Sequence, residues 1–380
     1  MDAIVHIGMP KTGTSSIQHF LGENEAALAE QGVYYRRRFP NRLSQFELPM
    51  SAFERIDRHL TSKDGWTRYA VGEREQQTAL CLPTMAALRE IPSKTAAERA
   101  IFSSEHIFAW IQDYAVAKSF HEMMLEVFAS VRYVVYVRDP AQLVPSRYSE
   151  GIKRGKTDSL ADVVDSTGPF KAVLKRLEWW SWLCGAENFK VRLLDPTFLV
   201  EQDLLTDFCA ATEIDITRLQ RPPRVNESLS AVGAEALRRL NFHIPQVKPD
   251  GAFNGDRNGF LPTIISRTKH LEGIRLTEEQ NNAIKTKTAA AMEQLRTTYF
   301  PDRTTLFNSV YKPPSQSQHD IVEQSLALMA ELLAEEQQKT SHANLPKDAL
   351  KRAYRRLGKP GWVLGSSVYY RLKGRNGRWL

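Results

Sequence analysis

The chain has 380 residues, 42% hydrophobic and 25% charged, with 51 Lys and Arg against 44 Asp and Glu for a net charge of +7. These proportions describe a globular protein and exclude a collagen-like, disordered or membrane-embedded chain. No apolar run is long enough to span a bilayer, the N-terminus reads as a core strand rather than a signal peptide, and the three scattered cysteines (Cys81, Cys184, Cys209) form neither a metal pattern nor a disulfide framework, so a cytoplasmic setting is expected.

In chain order, Ile4, Val5 and Ile7 predict a buried strand over 3–8, followed by a loop with Gly8, Pro10 and Gly13 and a helix over 14–31. A buried strand feeding a glycine-bearing loop at a helix start offers an anion free backbone N–H groups and the positive end of a helix dipole. Lys11 adds a point charge within that loop, and Thr12, Thr14, Ser15 and Ser16 add hydroxyls. Gly8 and Gly13 have the spacing of the first half of a nucleotide P-loop, but Thr14 stands where that motif places its lysine. The segment reads as a phosphate-binding loop of a different make.

A short extended Val33-Tyr34-Tyr35 precedes an arginine-rich stretch (Arg36, Arg37, Arg38, Arg42) that reads as irregular to about residue 70. A helix over 75–90 and a strand over 99–104 follow. That strand empties into Glu105 and His106 at its C-terminal edge, where open α/β sheets hold ligands. On a strand these two neighbours would point to opposite faces, so only one would reach a ligand. After a helix near 115–129, Val134 to Val137 predict a buried parallel strand ended by Arg138, with Asp139 able to cap and Pro140 in a first helical turn. Ser146 follows Arg138 by eight residues, roughly 12 Å along a straight helix. A guanidinium and a hydroxyl so placed can close on one phosphate from two sides. Pro145 predicts a kink just before Ser146.

Further helices are expected near 169–184, 203–213, 230–241 and 277–298, with a strand at 189–194. Trp179, Trp180 and Trp182 on the first of these read as core, with a sugar-stacking platform as the alternative. Strands alternating with helices give an α/β fold, a P-loop-like parallel sheet with helices on both faces. Residues 312–318 read as a linker and 319–338 as an acidic amphipathic helix. Residues 346–380 hold ten Lys and Arg against Asp348 alone, a local +9 that leaves −2 for the rest. This basic tail, with Trp362, Tyr369, Tyr370 and Trp379, reads as a solvated or self-docked extension, or as a peripheral contact for a membrane surface or polyanion. No nucleic-acid partner is expected.

The run Pro10-Lys11-Thr12-Gly13-Thr14-Ser15-Ser16 resembles the 5′-phosphosulfate loop of sulfotransferases that use 3′-phosphoadenosine 5′-phosphosulfate (PAPS). Arg138 with Ser146 resembles the 3′-phosphate clamp of the same family. Val225-Asn226-Glu227-Ser228-Leu229-Ser230 and Tyr299-Phe300-Pro301 ahead of Leu306-Phe307 are similar to the distal part of its bacterial members, so the likeness runs from about residue 3 to 308. It implies a sulfotransferase fold over 1–311, followed by the linker and a helical, basic C-terminal extension over 319–380. It further implies metal-free transfer of a sulfuryl group from PAPS to an acceptor hydroxyl or amine, with a carbohydrate favoured. Lys11 would act on the leaving oxygens, and Lys11, Thr12, Gly13, Thr14, Ser15 and Ser16 would hold the 5′ phosphate. Arg138 and Ser146 would hold the 3′ phosphate. The family's base, a histidine or glutamate after the third strand, would be His106 or Glu105, with His106 preferred because it titrates near neutrality unaided. The Arg-Lys-Gly that completes the 3′-phosphate site in animal members has no counterpart at the matching position. A P-loop kinase or NTPase, or a non-catalytic adenosine-bisphosphate binder, are the other readings of the same loop.

Overall fold

The computed structural model describes residues 1–39, 44–60, 72–223, 228–245, 254 and 259–339; Arg42, residues 225–227 and the basic tail 346–380 lie outside them. The chain divides into two compact units. One comprises Met1–Pro140, Gly168–Arg224 and Lys287–Val310, the other Ala141–Thr167, Val225–Thr286 and Tyr311–Leu380.

The first unit is an α/β unit built on β1 (Asp2–Ile7), whose Ala3, Ile4, Val5 and Ile7 are all buried, as a central parallel strand requires. The chain then forms α1 (Thr14–Glu23), α2 (Glu25–Glu30) and the two-residue β2 (Val33–Tyr34). The single helix expected over 14–31 is divided at Asn24, whose side-chain amide donates to the carbonyls of Phe20 at 2.8 Å and of Gln220 at 2.9 Å. Helix α3 (Glu47–Arg55) occupies part of the stretch expected to be irregular. It buries Leu48, Met50, Ala52 and Phe53, and its Pro49 lies in the first turn, where a missing N–H forfeits no helix bond. Next come α4 (Arg74–Lys94), β3 (Arg99–Ser104), α5 (Glu105–Trp110), α6 (Tyr114–Leu125) and β4 (Val131–Val137). The chain continues through α7 (Pro140–Lys153) and α8 (Leu160–Asp165) to α9 (Lys171–Cys184), β5 (Phe189–Leu193) and α10 (Leu204–Thr212).

Among the described residues the sheet has five strands, all parallel, in the order β2-β3-β1-β4-β5. The connection from β1 runs to one side, toward β2, and that from β4 to the other, toward β5. Adjacent strands whose connections diverge open a crevice at their C-terminal ends, the place where open α/β sheets hold ligands. Of the three tryptophans on α9, Trp179 and Trp180 are core, with Trp180 packed on Tyr133 and Phe120, while Trp182 is 70% exposed.

In the second unit, α11 (Ala231–Asn241), α12 (Phe260–Thr268), the start of α13 (Glu278–Tyr299) and α14 (Gln318–Lys339) join α7 and α8. Leu237 and Leu240 of α11 share one apolar cluster with Tyr148 and Ile152 of α7 and with Leu328, Met329 and Leu332 of α14. Among the described residues no helix is long and apolar enough to cross a membrane.

His6 is a polar residue at the centre of β1, fully buried, with Nδ1 2.8 Å from Ser103 Oγ and its ring edge-on to Tyr136 and Phe208. Burial pushes its pKa from 6.5 down to about 3, so the imidazole folds neutral. The unfolded chain takes up a proton near pH 6.5 that the folded chain refuses. Stability is therefore whole above that pH and falls as pH drops toward 3, by up to ~1.4 kcal/mol per pH unit. Chemical denaturation between pH 7 and pH 5 should show this loss in the native protein and a shallower one in His6→Gln. Equal slopes would contradict it.

Candidate active site

Three segments come together at the C-terminal edge of the sheet: the loop after β1, the start of α5 after β3, and Arg138 after β4. The first contact depends on Gly8. Its N–H donates to the Ser104 carbonyl at 3.1 Å, and a Cβ there would stand 2.7 Å from Glu105 Cα and 2.6 Å from Thr14 Cγ2. No residue with a side chain fits that approach without displacing backbone.

Beyond Gly8 the loop closes on the Met9 carbonyl, which accepts from the Thr12 N–H at 3.3 Å, from Thr12 Oγ1 at 2.7 Å and from Thr14 Oγ1 at 3.5 Å. Both donors of the buried Thr12 are thus engaged in shaping the loop. Lys11 and Gly13 both have left-handed backbone, φ 64° and 85°. That conformation costs a lysine roughly 1–2 kcal/mol. Arg138 helps to hold it, because its Nη1 donates to the Lys11 carbonyl at 3.1 Å. Burial lowers the pKa of this guanidinium, with Asp139 acting in the opposite sense.

Helix α1 makes its first internal bond from Ile17 N–H to Gly13 O at 3.1 Å. The N–H groups of Thr14, Ser15 and Ser16 have no helical acceptor, the N-cap Gly13 offers no side chain to cap them, and no acidic residue stands in the first turn. Ser15 and Ser16 are exposed, while Lys11 and Gly13 are half-buried. Free amides, the helix dipole and the lysine charge therefore face the same kind of ligand, an anion.

Glu105 and His106 correct the strand-edge expectation. The strand stops at Ser104 because its hydroxyl caps α5, accepting from the His106 N–H at 3.3 Å. The two residues open a helix and so differ in direction by about 100° instead of facing opposite sides. Glu105 is half-buried, and its Oε2 accepts from Gln18 Nε2 of α1 at 3.0 Å. His106 is buried, its ring centroid 4.3 Å from that of Trp110 and 6.0 Å from that of Phe46, with Nδ1 3.5 Å from Ser104 Oγ.

Two glutamines that motif reading passed over complete the edge. β2 pairs with β3 at Arg99 and Ala100, which among the described residues leaves Ser103 without a strand on that side. Gln45 Oε1 accepts from the Ser103 N–H at 2.8 Å, and Gln18 Nε2 donates to the Ser103 carbonyl at 2.9 Å. These contacts join residues 58 and 85 positions apart, and no local pattern announces them. Ser146 is half-buried on α7 of the second unit, and α7 continues through Pro145. Among the described residues no group of three His, Cys, Asp or Glu could hold a metal ion.

Neither a family model nor a curated protein sequence matches the chain. Among solved structures, a sulfotransferase from Alicyclobacillus acidocaldarius aligns with 73% of this chain and 97% of its own at 13% identity and a TM-score of 0.36. The sulfotransferase domain from the curacin biosynthetic pathway aligns with 83% of this chain and 98% of its own, at 13% identity and a TM-score of 0.35. At that level of superposition the two structures assign nothing to individual residues here.

The Gly8 approach makes a direct expectation. Gly8→Ala should lower unfolding free energy by ~1–3 kcal/mol, the usual cost of overpacking a tight site. Gly168→Ala, where a Cβ meets nothing within 4 Å, should leave it within ~0.5 kcal/mol. Denaturant titration measures both, and an unperturbed Gly8→Ala protein would contradict the described loop.

Proposed function

We propose that this protein is a sulfotransferase that moves a sulfuryl group from PAPS to an acceptor hydroxyl or amine, without a metal. The observation that carries this reading is a lysine-bearing loop that offers uncapped helix amides and abuts, through Gly8, the residue that bears a half-buried carboxylate. A nucleotide P-loop of the kinase type places its lysine directly after the second glycine, where this chain has Thr14; here Lys11 stands before Gly13. The resemblance of residues 10–16 to a 5′-phosphosulfate loop supports the choice of donor.

PAPS supplies the sulfuryl group on its 5′ phosphate. The N–H groups of Gly13, Thr14, Ser15 and Ser16, with the hydroxyls of Ser15 and Ser16, suit the oxygens of that phosphate, and Thr12 serves by holding the loop closed. Lys11 neutralises charge on the oxygen that departs when the S–O bond to phosphate breaks, the task that Mg²⁺ performs in kinases. Arg138 has one donor on the Lys11 carbonyl and further N–H groups for the 3′ phosphate; the resemblance assigns Ser146 to the same phosphate. Glu105 receives the acceptor's proton as the new S–O bond forms, leaving adenosine 3′,5′-bisphosphate and a sulfated acceptor. Its exposure favours it over His106, whose ring is enclosed by Phe46 and Trp110. A carbohydrate hydroxyl is the acceptor class we favour.

Labelled sulfate transfer from PAPS to a panel of glycan, phenol, lipid and amine acceptors, run in EDTA, tests this reading. Transfer should persist in EDTA. Lys11→Ala should lose about 10²- to 10³-fold in kcat. Glu105→Gln should lose about 10²- to 10⁴-fold, and His106→Ala should act mainly on stability. Activity abolished by EDTA and restored by Mg²⁺ would overturn the mechanism, and a dead His106→Ala beside an active Glu105→Gln would reverse the base.

A further inference from the structure

We propose that Gln18 is the positioning residue of Glu105, fixing the direction of its carboxylate from the helix that carries the anion-binding end. The assignment rests on the sulfotransferase reading for its role in turnover, but its physical content stands apart from that reading.

Gln18 is buried in the second turn of α1. Its Nε2 lies 2.9 Å from the Ser103 carbonyl and 3.0 Å from Glu105 Oε2. Both neighbours are acceptors while Glu105 is ionised, so the amide must turn its nitrogen toward them; the flipped amide would set oxygen against oxygen. An NH₂ group has two protons, and two acceptors receive them. The Ser103 bond anchors the fork to β3, and the Glu105 bond then leaves the carboxylate one oxygen held and one, Oε1, with no hydrogen bond among the described residues. A base needs this arrangement: a fixed carboxylate plane with a lone pair directed outward. Tyr35 has its phenol pushed up chiefly by burial, with Glu25 and Glu105 adding to the rise, and His106 is the next residue in the chain. Neither supplies the hydrogen bond that Gln18 does.

A purely structural Gln18, present only to satisfy the open edge of β3 at Ser103, would not move the titration of Glu105. The test is therefore the ¹³C NMR titration of the Glu105 carboxyl carbon in the full-length protein, with Gln18→Leu and, as an isosteric variant that keeps packing volume, Gln18→Glu. The Glu105 midpoint should rise by about half to one pH unit in Gln18→Leu and further in Gln18→Glu, where a like charge faces it. The acid limb of the kcat–pH profile should move by the same amount, with kcat at neutral pH down about 10-fold, KM for acceptor little changed and adenosine 3′,5′-bisphosphate affinity within about two-fold. A midpoint equal to the native one in the variants overturns the assignment. If the native protein transfers no sulfuryl group to any acceptor, the sulfotransferase reading fails, while the NMR midpoint still decides whether Gln18 governs Glu105.

Discussion

Because Gly8 has no Cβ, the chain leaving β1 can lie against the first residue of α5, with the Gly8 N–H on the Ser104 carbonyl at 3.1 Å. That approach brings the loop against the residue that carries the carboxylate and sets Thr14 where its hydroxyl reaches the Met9 carbonyl. It also fixes where α1 starts, so that Gln18, further along the same helix, reaches Ser103 and Glu105. On the other flank, Arg138 ties the end of β4 to the Lys11 carbonyl.

The loop is costly in conformational terms and is held by polar contacts. A lysine in left-handed backbone costs free energy, and its persistence rests on the Met9 carbonyl with its several donors and on the Arg138 guanidinium behind it. Strain of this kind is kept where the surrounding structure over-determines the backbone. The helix amides of Thr14 to Ser16 are left uncapped by the same design, since the N-cap is a glycine without a side chain to fold back on them. An anion thus finds donors already oriented and loses little to reorganisation.

Much of the first unit was legible from residue pattern. The strand over 99–104 is found as Arg99–Ser104, and the parallel strand before Arg138 as Val131–Val137, because short buried apolar runs bounded by polar residues leave few alternatives. The helical period through Ile17, Phe20 and Leu21 carries no sign of the break at Asn24, whose amide exchanges hydrogen bonds with the backbone of Gln220, 196 residues away. Helix α3 lies within a stretch whose arginines read as irregular, and its Pro49 sits in the first turn, where a proline is compatible with a helix. The change from strand to helix at Glu105 has a local signal, a serine N-cap followed by an acid in the first turn, which competes with the strand alternation. Gln18 and Gln45 carry no motif at all, and their meaning comes only from the short β2 that leaves Ser103 to be satisfied by side chains.

The proposed recognition of a nucleotide bearing both a 5′ and a 3′ phosphate is tested most directly by titration calorimetry of adenosine 3′,5′-bisphosphate against ADP and AMP. A charge-assisted arginine contact in a half-buried site is worth about 1.5–3 kcal/mol, or roughly 10- to 150-fold in affinity. The bisphosphate should therefore bind that much more tightly than ADP, and Arg138→Ala should erase most of the difference. ADP binding as tightly as the bisphosphate, with or without Mg²⁺, would contradict the account.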